Sequence, residues 1–403
     1  MAVAMEQAAF IYHPDELKYR FPDDHPFNQQ RLALTADLLR SAGALADADV
    51  FAPRMATADE LALVHTDEFV RAVRALSDVP PPPEWLREAD RFGLGDGDTP
   101  FFPHMHEAAS NAVGGTLRAA ELVMSGARDH ALHLGGGLHH AFPNKAAGFC
   151  VYNDASVAIA HLRKHHQARV LYVDTDVHHG DGVEFAFYSD PDVCTFSIHE
   201  TGKFLYPGTG MAAERGNDLG FGATVNIPVE PYTEDESWLE CFETPLRRTI
   251  AGFRPDIIVS QHGCDAHAFD PLAHIHCSMA IYRRMPQVIH ELAHAYCGGR
   301  WLALGGGGYD IWRVVPRAWS LVWMAMTDHP LIAALGERPD LPLPEGWADR
   351  WQPHSPDPLP AAWLDPVSDW EPMPRRSQIA EKNRQVMEHA MLYLPNLQRS
   401  QPD

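Results

Sequence analysis

The chain has 403 residues, 45% of them apolar, enough for one large body with a proper core. Lys and Arg total 32 against 54 Asp and Glu, and the resulting net charge of −22 repels nucleic acid and anionic membrane surfaces, so neither is expected as a partner. Six cysteines, Cys150, Cys194, Cys241, Cys264, Cys277 and Cys297, form no Cys-x-x-Cys pair, which argues against a thiolate zinc site or a disulfide framework and suits a reducing cytoplasm.

The start, Met1-Ala-Val-Ala-Met5, lacks the basic residues of a leader, and no apolar run approaches the roughly 20 residues of a membrane helix, so an unexported, soluble protein is expected. Ala8 to Tyr12 reads as a first strand and Phe27 to Ala42 as a first helix. Pro80 to Pro83, followed by Gly93-Leu-Gly-Asp-Gly-Asp98, marks a long loop of the kind that is often functional. A helix over Met105 to Met124 leads to a strand at His130 to Leu134. There Gly-Gly-Gly-Leu-His139-His140 follows, with Gly148-Phe149-Cys150 close behind. Adjacent histidines suit acid/base work better than shared metal ligation, because each can be oriented by its own carboxylate, for which Asp174 and Asp181 are the candidates. The plain alternative is two ordinary histidines beside a turn.

After a helix at Asn153 to His165, the apolar run Arg169 to Asp174 reads as a buried strand. It runs into Asp176-Val-His-His-Gly-Asp-Gly182. Ligands of open α/β sheets bind at that carboxyl edge. Asp176 and His178 alternate, so in an extended segment both face one cation, with Asp174 on the same side and His179 on the other. A solvated Asp/Gly turn is the bland alternative. Strands are expected at Val193 to His199 and Ala223 to Pro228, and a helix at Trp238 to Phe253. A strand at Asp256 to Gln261 delivers Asp265 just past its end. Asp176, His178 and Asp265 then make three ligands with a coordination position left open, the pattern of a catalytic site. His262, His267, His274 and His276 are competing ligands, each read more simply as a satisfied polar histidine. A helix at Cys277 to Cys297 and a strand at Arg300 to Leu304 end in Gly305-Gly-Gly-Gly308-Tyr309. No Gly-Lys-Ser/Thr follows, so Tyr309 reads as a phenol that donates to an oxyanion, not as part of a phosphate loop. Beyond a helix at Val314 to Met326 the composition turns to Pro, Trp and charge, with a last helical stretch near Gln378 to Leu392. We read residues 1–328 as one catalytic domain. Residues 329–403 read as an extension whose Trp347, Trp351, Trp363 and Trp370 pack back on it. The alternation of strands and helices indicates an α/β fold with a mostly parallel sheet.

His139-His140, Asp174-x-Asp176-x-His178-His-Gly-Asp181, Asp265 and Gly305-Gly-Gly-Gly-Tyr309 resemble, in order and spacing, the zinc-dependent histone deacetylase family. Tyr19-Arg-Phe-Pro-Asp-Asp-His25-Pro26-Phe27-Asn28-Gln-Gln-Arg31, with Asp98-Thr-Pro-Phe-Phe, is similar to its bacterial acetoin-utilisation deacetylases. The resemblance covers residues 8 to 325 and implies the arginase/deacetylase fold: three α/β/α layers around a mostly parallel sheet of about eight strands. It implies Asp176, His178 and Asp265 as zinc ligands, His139 with Asp174 and His140 with Asp181 as acid/base pairs, and Tyr309 as the carbonyl-polarising phenol. A potassium ion is implied at Asp174, Asp176, His178, Ser197 and Ile198. A second such site at Phe187, Asp190 and Val193 is put in doubt by Asp190, which stands where a small hydroxyl residue is expected. Gly148, Phe149 and Tyr206 match the substrate channel. Leu272 stands where a polyamine-selective enzyme carries an acidic gate, Asp98 matches a group that binds substrate backbone, and Arg31 matches the acetate-release cavity.

The implied activity is metal-dependent hydrolysis of acetyl-lysine in cytoplasmic proteins, releasing acetate, with an acyl-CoA synthetase as a natural substrate. Small acetylated amines or polyamines are the alternative within the same chemistry. An arginase-like ureohydrolase would need two manganese ions and more carboxylates, and a silent acyl-lysine-binding module would lack a ligand or Tyr309; none is missing. Ferrous iron is the alternative ion, since an Asp, His, Asp set tolerates it.

Overall fold

The computed structural model describes residues 8–394 except 23, 96 and 393; residues 1–7, where no leader is expected, and 395–403 lie outside the described residues. Eight strands form one sheet: β1 (Ala8–Ile11), β2 (Val50–Phe51), β3 (His130–His133), β4 (Val170–Asp174), β5 (Val193–Glu200), β6 (Thr224–Val229), β7 (Ile257–Gln261) and β8 (Trp301–Leu304). Their order is β2-β1-β3-β8-β7-β4-β5-β6, and every pairing is parallel. Parallel strands buried on both faces need apolar residues at successive positions, and β4 (Val-Leu-Tyr-Val-Asp) is buried throughout. Alternation divides that run. Leu171 and Val173 face a core completed by the helices Gln30–Ser41, Asp235–Phe253, Met279–Cys297 and Val315–Met326. Val170 and Tyr172 face one completed by Met105–Met124 and Asp154–His166.

The register places the ends of the four central strands in a row, with His133 opposite Leu304, Leu304 opposite Gln261 and Gln261 opposite Asp174. The loops after β3, β8, β7 and β4 therefore open side by side. Element edges differ from the sequence reading by one to three residues where caps intervene. Asn153 precedes its helix and accepts from Ser156 N at 2.9 Å, and Ser278 caps the helix that the pattern started at Cys277. Two-residue β2 carries no periodic signal, and the helices Asp67–Leu76 and Asp181–Phe187 were not anticipated.

The segment after 328 lies against this body. Trp347 and Trp363 are buried, and Trp347 Nε1 donates to Leu34 O at 3.0 Å. Asp365 reaches His267 Nε2 and Arg317 Nη2, each at 2.9 Å. Asn383, on the helix Arg376–Ala390, accepts from Glu230 N at the end of β6. All six cysteines are free and buried. Among the described residues no helix is long and apolar enough to cross a membrane.

Candidate active site

Asp176, His178 and Asp265 meet beyond the ends of β4 and β7. His178 Nδ1 lies 3.1 Å from Asp176 Oδ1 and 3.1 Å from Asp265 Oδ2, and all three residues are buried. The other carboxylate oxygens are held from behind. Asp176 Oδ2 accepts from Gln261 Nε2 and Gly307 N, both at 2.7 Å, and Asp265 Oδ1 accepts from Val177 N at 2.8 Å. Burial and the neighbouring charge of Asp176 push the Asp265 carboxyl up to about 6. Burial opposes charge on His178, but the two carboxylates outweigh it and raise the imidazole to about 10. A divalent ion bound by these three donors at about 2.0–2.2 Å would space them at roughly 3.3 Å, close to what is seen, and would bind the imidazole in its neutral form. The donor set fits zinc or ferrous iron.

Next to this set, His139 Nδ1 lies 2.8 Å from Asp174 Oδ2, which also accepts from the Tyr172 hydroxyl at 2.8 Å. His140 Nδ1 lies 2.7 Å from Asp181 Oδ1, and the two Nε2 atoms are 3.0 Å apart. At that separation the rings share one proton. For His139, burial is overcome by the charges of Asp174 and Asp176, and its value rises to about 9. Burial and then the positive His139 hold His140 down to about 4. The pair therefore rests with His139 charged and His140 a neutral acceptor, and a nearby ion would lower both. His179 turns away, 2.9 Å from Glu184 Oε2 and 2.8 Å from Thr209 Oγ1.

The Tyr309 ring lies 5.7 Å from that of Phe149, and its backbone N donates to Asp270 Oδ2 at 2.8 Å. Burial, with the charges of Asp265 and Asp176, keeps its phenol protonated well above the usual range, so it is available as a donor. The Tyr206 ring is 5.0 Å from His140 and 6.5 Å from His178, and Tyr206 is 43% exposed, which puts it at a mouth over the histidines. Gly148 adopts φ +53°, and a Cβ there would meet His140 Cδ2 at 2.3 Å. Asp98 is exposed; its Oδ2 accepts from Gly148 N at 3.1 Å, tying the long loop to this rim. Leu272 is half-buried, with its N donating to Asp270. Arg31 is buried behind the glycine run, donating to Gly308 O at 3.0 Å with its guanidinium over Phe27 and Trp319.

Ser197 pairs in register with Asp174, its Oγ is 2.8 Å from His199 Nδ1, and Ile198 is fully buried. Asp190 takes Asp192 N at 2.8 Å and lies 3.5 Å from Arg163 Nε, while Phe187 O accepts from Asp190 N. The competing histidines are occupied elsewhere: His262 lies against Ser260 Oγ, His267 against Asp365, His274 against Glu200, and His276 beside Trp370.

The sequence reading missed Gln261 and Gly307. Gln261 was legible only as a strand end, yet it holds one ligand oxygen. Gly307 is required because a Cβ would come within 2.0 Å of Asp265 Oδ2 and 2.8 Å of Asp176 Oδ2. Asp154, at the start of the helix Asp154–His166, is a further support: its oxygens accept from Gly137 N and Leu138 N and so fix the turn that presents the two histidines.

A model of the histone deacetylase domain matches residues 25–326. The acetoin utilization protein AcuC of Bacillus subtilis (strain 168) is 50% identical over 387 residues, covering 96% of this chain and 97% of that protein. AcuC of Staphylococcus aureus (strain MRSA252) is 45% identical over 385 residues, covering 96% of each. Among solved structures, a histone deacetylase homologue complexed with SAHA superposes with a TM-score of 0.82 at 27% identity, over 96% of this chain and all of that one. A homologue from Aquifex aeolicus gives 0.81 at 26%.

Proposed function

The chain belongs to the histone deacetylase family and is a deacetylase of that family, and from this premise we propose that it hydrolyses the acetamide of acetyl-lysine in proteins. The ureohydrolase alternative is thereby set aside. The observation that carries the reading is the convergence, on four adjacent strand ends, of a cation-fitting Asp, His, Asp set, a proton-sharing histidine pair and a phenol.

Zinc is proposed at Asp176, His178 and Asp265; when bound, it supplies Lewis-acid polarisation of a carbonyl and a lowered pKa for water. His140, held by Asp181 with Nε2 turned to the shared position, accepts the proton of the attacking water. Tyr309 donates its hydroxyl hydrogen to the oxyanion that forms on the acetyl carbon. The His139–His140 pair then passes one proton to the lysine nitrogen as the C–N bond breaks, leaving acetate and a free amine. Asp174 holds His139 through this exchange. Phe149 and Tyr206 are assigned to the methylene stem of the lysine, Leu272 to the apolar wall and Arg31 to the acetate exit. Asp98, exposed at the rim, is assigned to the backbone amides of a polypeptide substrate, which favours a protein over a small amine. Potassium is proposed beside Asp174, Asp176, His178, Ser197 and Ile198, supported by the pairing of Asp174 with Ser197. An acetylated acyl-CoA synthetase of the cytoplasm is the proposed partner, since the relatives are named for acetoin utilization.

The test is acetate release from an acetyl-lysine peptide by metal-depleted protein reconstituted with one equivalent of zinc, beside His140→Ala. Acetate from the wild type alone supports the reading. Acetate only from an acetylated polyamine moves the substrate to small amines, and none from either sinks the proposal.

A further inference from the structure

Three histidines that the reaction does not use converge at the opposite, amino-terminal edge of the sheet. His130 is the first residue of β3, while His290 and His294 lie one turn apart on the helix Met279–Cys297. Their Nε2 atoms form a near-equilateral triangle: 3.1 Å from His290 to His130, 3.1 Å from His290 to His294 and 3.3 Å from His294 to His130. A neutral imidazole has a single N–H, directed in its ring plane at one acceptor, so hydrogen bonding among three such nitrogens cannot join every pair well. One cation in the middle can take a lone pair from each. Three nitrogens at the 2.0–2.1 Å of zinc–imidazole bonds stand about 3.3 Å apart in a tetrahedral site. The spacing is also that of the donors in the Asp176, His178 and Asp265 set.

The surroundings agree with a built site. His130 is fully buried and His290 is 9% exposed, whereas His294 is exposed and brings the cluster to the surface. Gly299, at φ +86° in the turn before β8, leaves the space: a Cβ there would stand 3.2 Å from His294 Cε1 and 3.9 Å from His130 Cε1. Asp328 Oδ1 lies 3.7 Å from His290 Nδ1, on the far side of that ring, beyond hydrogen-bond reach but adding negative charge near the cluster. His294 sits in the last turn of its helix, where the helix dipole favours a cation, and the net charge of −22 adds to the attraction. An all-imidazole set selects first-row transition ions over magnesium or calcium.

We propose that His130, His290 and His294 form a second site for a divalent transition ion of the zinc class, held by three imidazole nitrogens. It lies at the opposite end of β3 from the acid/base histidines, with His130 and His133 themselves about 10 Å apart along the strand. The bound ion fastens the end of one core helix to the start of the central strand that leads to His139 and His140. Neither its geometry nor its test depends on the substrate reading.

Full-length protein is stripped with chelator, saturated with zinc chloride, freed of excess by gel filtration and assayed for zinc per chain, beside His294→Ala and Asp265→Ala. His294 is exposed, so its replacement is expected to leave the fold and acetate release unchanged. The expected counts are two ions in the wild type and one in each variant. Zinc is also expected to raise the melting temperature of Asp265→Ala, and the rise is expected to vanish when His294→Ala is added. A count of one in the wild type that falls to zero only in His294→Ala supports this site and removes the catalytic zinc instead. Equal counts in wild type and His294→Ala overturn the proposal, as does a zinc-induced thermal shift that survives in the double variant.

Discussion

Asp181 is assigned to His140 alone, and replacing it measures how much a positioned base contributes. The carboxylate accepts from His140 at 2.7 Å, a charge-assisted bond of about 1.5–3 kcal/mol against roughly 0.5–1.5 for a neutral one. At 1.36 kcal/mol per decade, Asp181→Ala is expected to lower kcat about 10- to 150-fold. Asp181→Asn keeps an acceptor in place and loses only the charge, so its loss is expected to be smaller, roughly 5- to 10-fold. Charge and pH go together here. Burial and His139 hold His140 low and Asp181 works against them, so without Asp181 the imidazole becomes a still weaker base. The acid limb of the rate profile is then expected to move to lower pH while the plateau falls. Zinc content and KM should stay within about twofold, because Asp181 touches neither ligand nor channel; otherwise its Oδ1 accepts only from Gly182 N. The assay is acetate release from pH 3 to 9, which brackets the His140 value of about 4. Plateau rates within a factor of two of wild type in both variants, or an acid limb displaced upward, would refute the assignment of His140 as base.

Tyr309→Phe keeps the backbone bond to Asp270 and the contact with Phe149, so it is expected to bind substrate normally while kcat drops about 10²- to 10³-fold, as for loss of an oxyanion donor; unchanged turnover removes that role. Gly307→Ala drives a methyl into both ligand carboxylates and is expected to weaken zinc affinity at the Asp176, His178 and Asp265 site at least tenfold with little change in secondary structure, which a zinc titration in the His294→Ala background and circular dichroism would check. Asp365 is held below the usual carboxylate range: burial pushes it up, but the His267 bond and the Arg317 charge prevail. Its folded value thus lies below its unfolded value near 3.9, so its contribution is complete above that pH and is lost as pH falls through it. Asp365→Asn is expected to cost about 3–5 kcal/mol in urea unfolding at pH 7 and to flatten the acid side of the stability profile; equal midpoints would contradict the pairing.

What could be read from the sequence follows from how locally each feature is encoded. The motifs after β3, β4, β7 and β8 were legible because each couples a short apolar run to glycines and a chemistry-bearing residue within about ten positions. Asp174, Asp176 and His178 share a face simply because an extended backbone alternates. That these four segments are neighbours is another matter, since it depends on the order β3-β8-β7-β4, which local pattern does not contain; only the resemblance to a family supplied it. The supports were illegible for the same reason. Gln261 looks like an ordinary strand end, and Gly307 is one of four consecutive glycines with nothing local to single it out, until the fold brings Asp265 within 2.0 Å of its missing Cβ.

The amino-edge triangle is the extreme case. His290 and His294 have the i, i+4 spacing of a shared helix face, but on a helix with polar positions that spacing is ordinary, and the third member is 160 positions away. Parallel topology brings them together. The strand that presents His139 and His140 at one edge must begin at the other, and the helix Met279–Cys297, which precedes β8, must end near the start of β3 because β8 lies beside it in register, His130 opposite Trp301. A βα sheet therefore has two edges at which distant side chains are gathered. The carboxyl edge collects loops, which tolerate the glycines and carboxylates that chemistry needs. The amino edge collects helix ends, where the dipole favours cations. Histidines accumulated there with their Nε2 atoms 3.1–3.3 Å apart belong to a second kind of site. By this reasoning it should bind zinc whether or not the carboxyl edge is loaded.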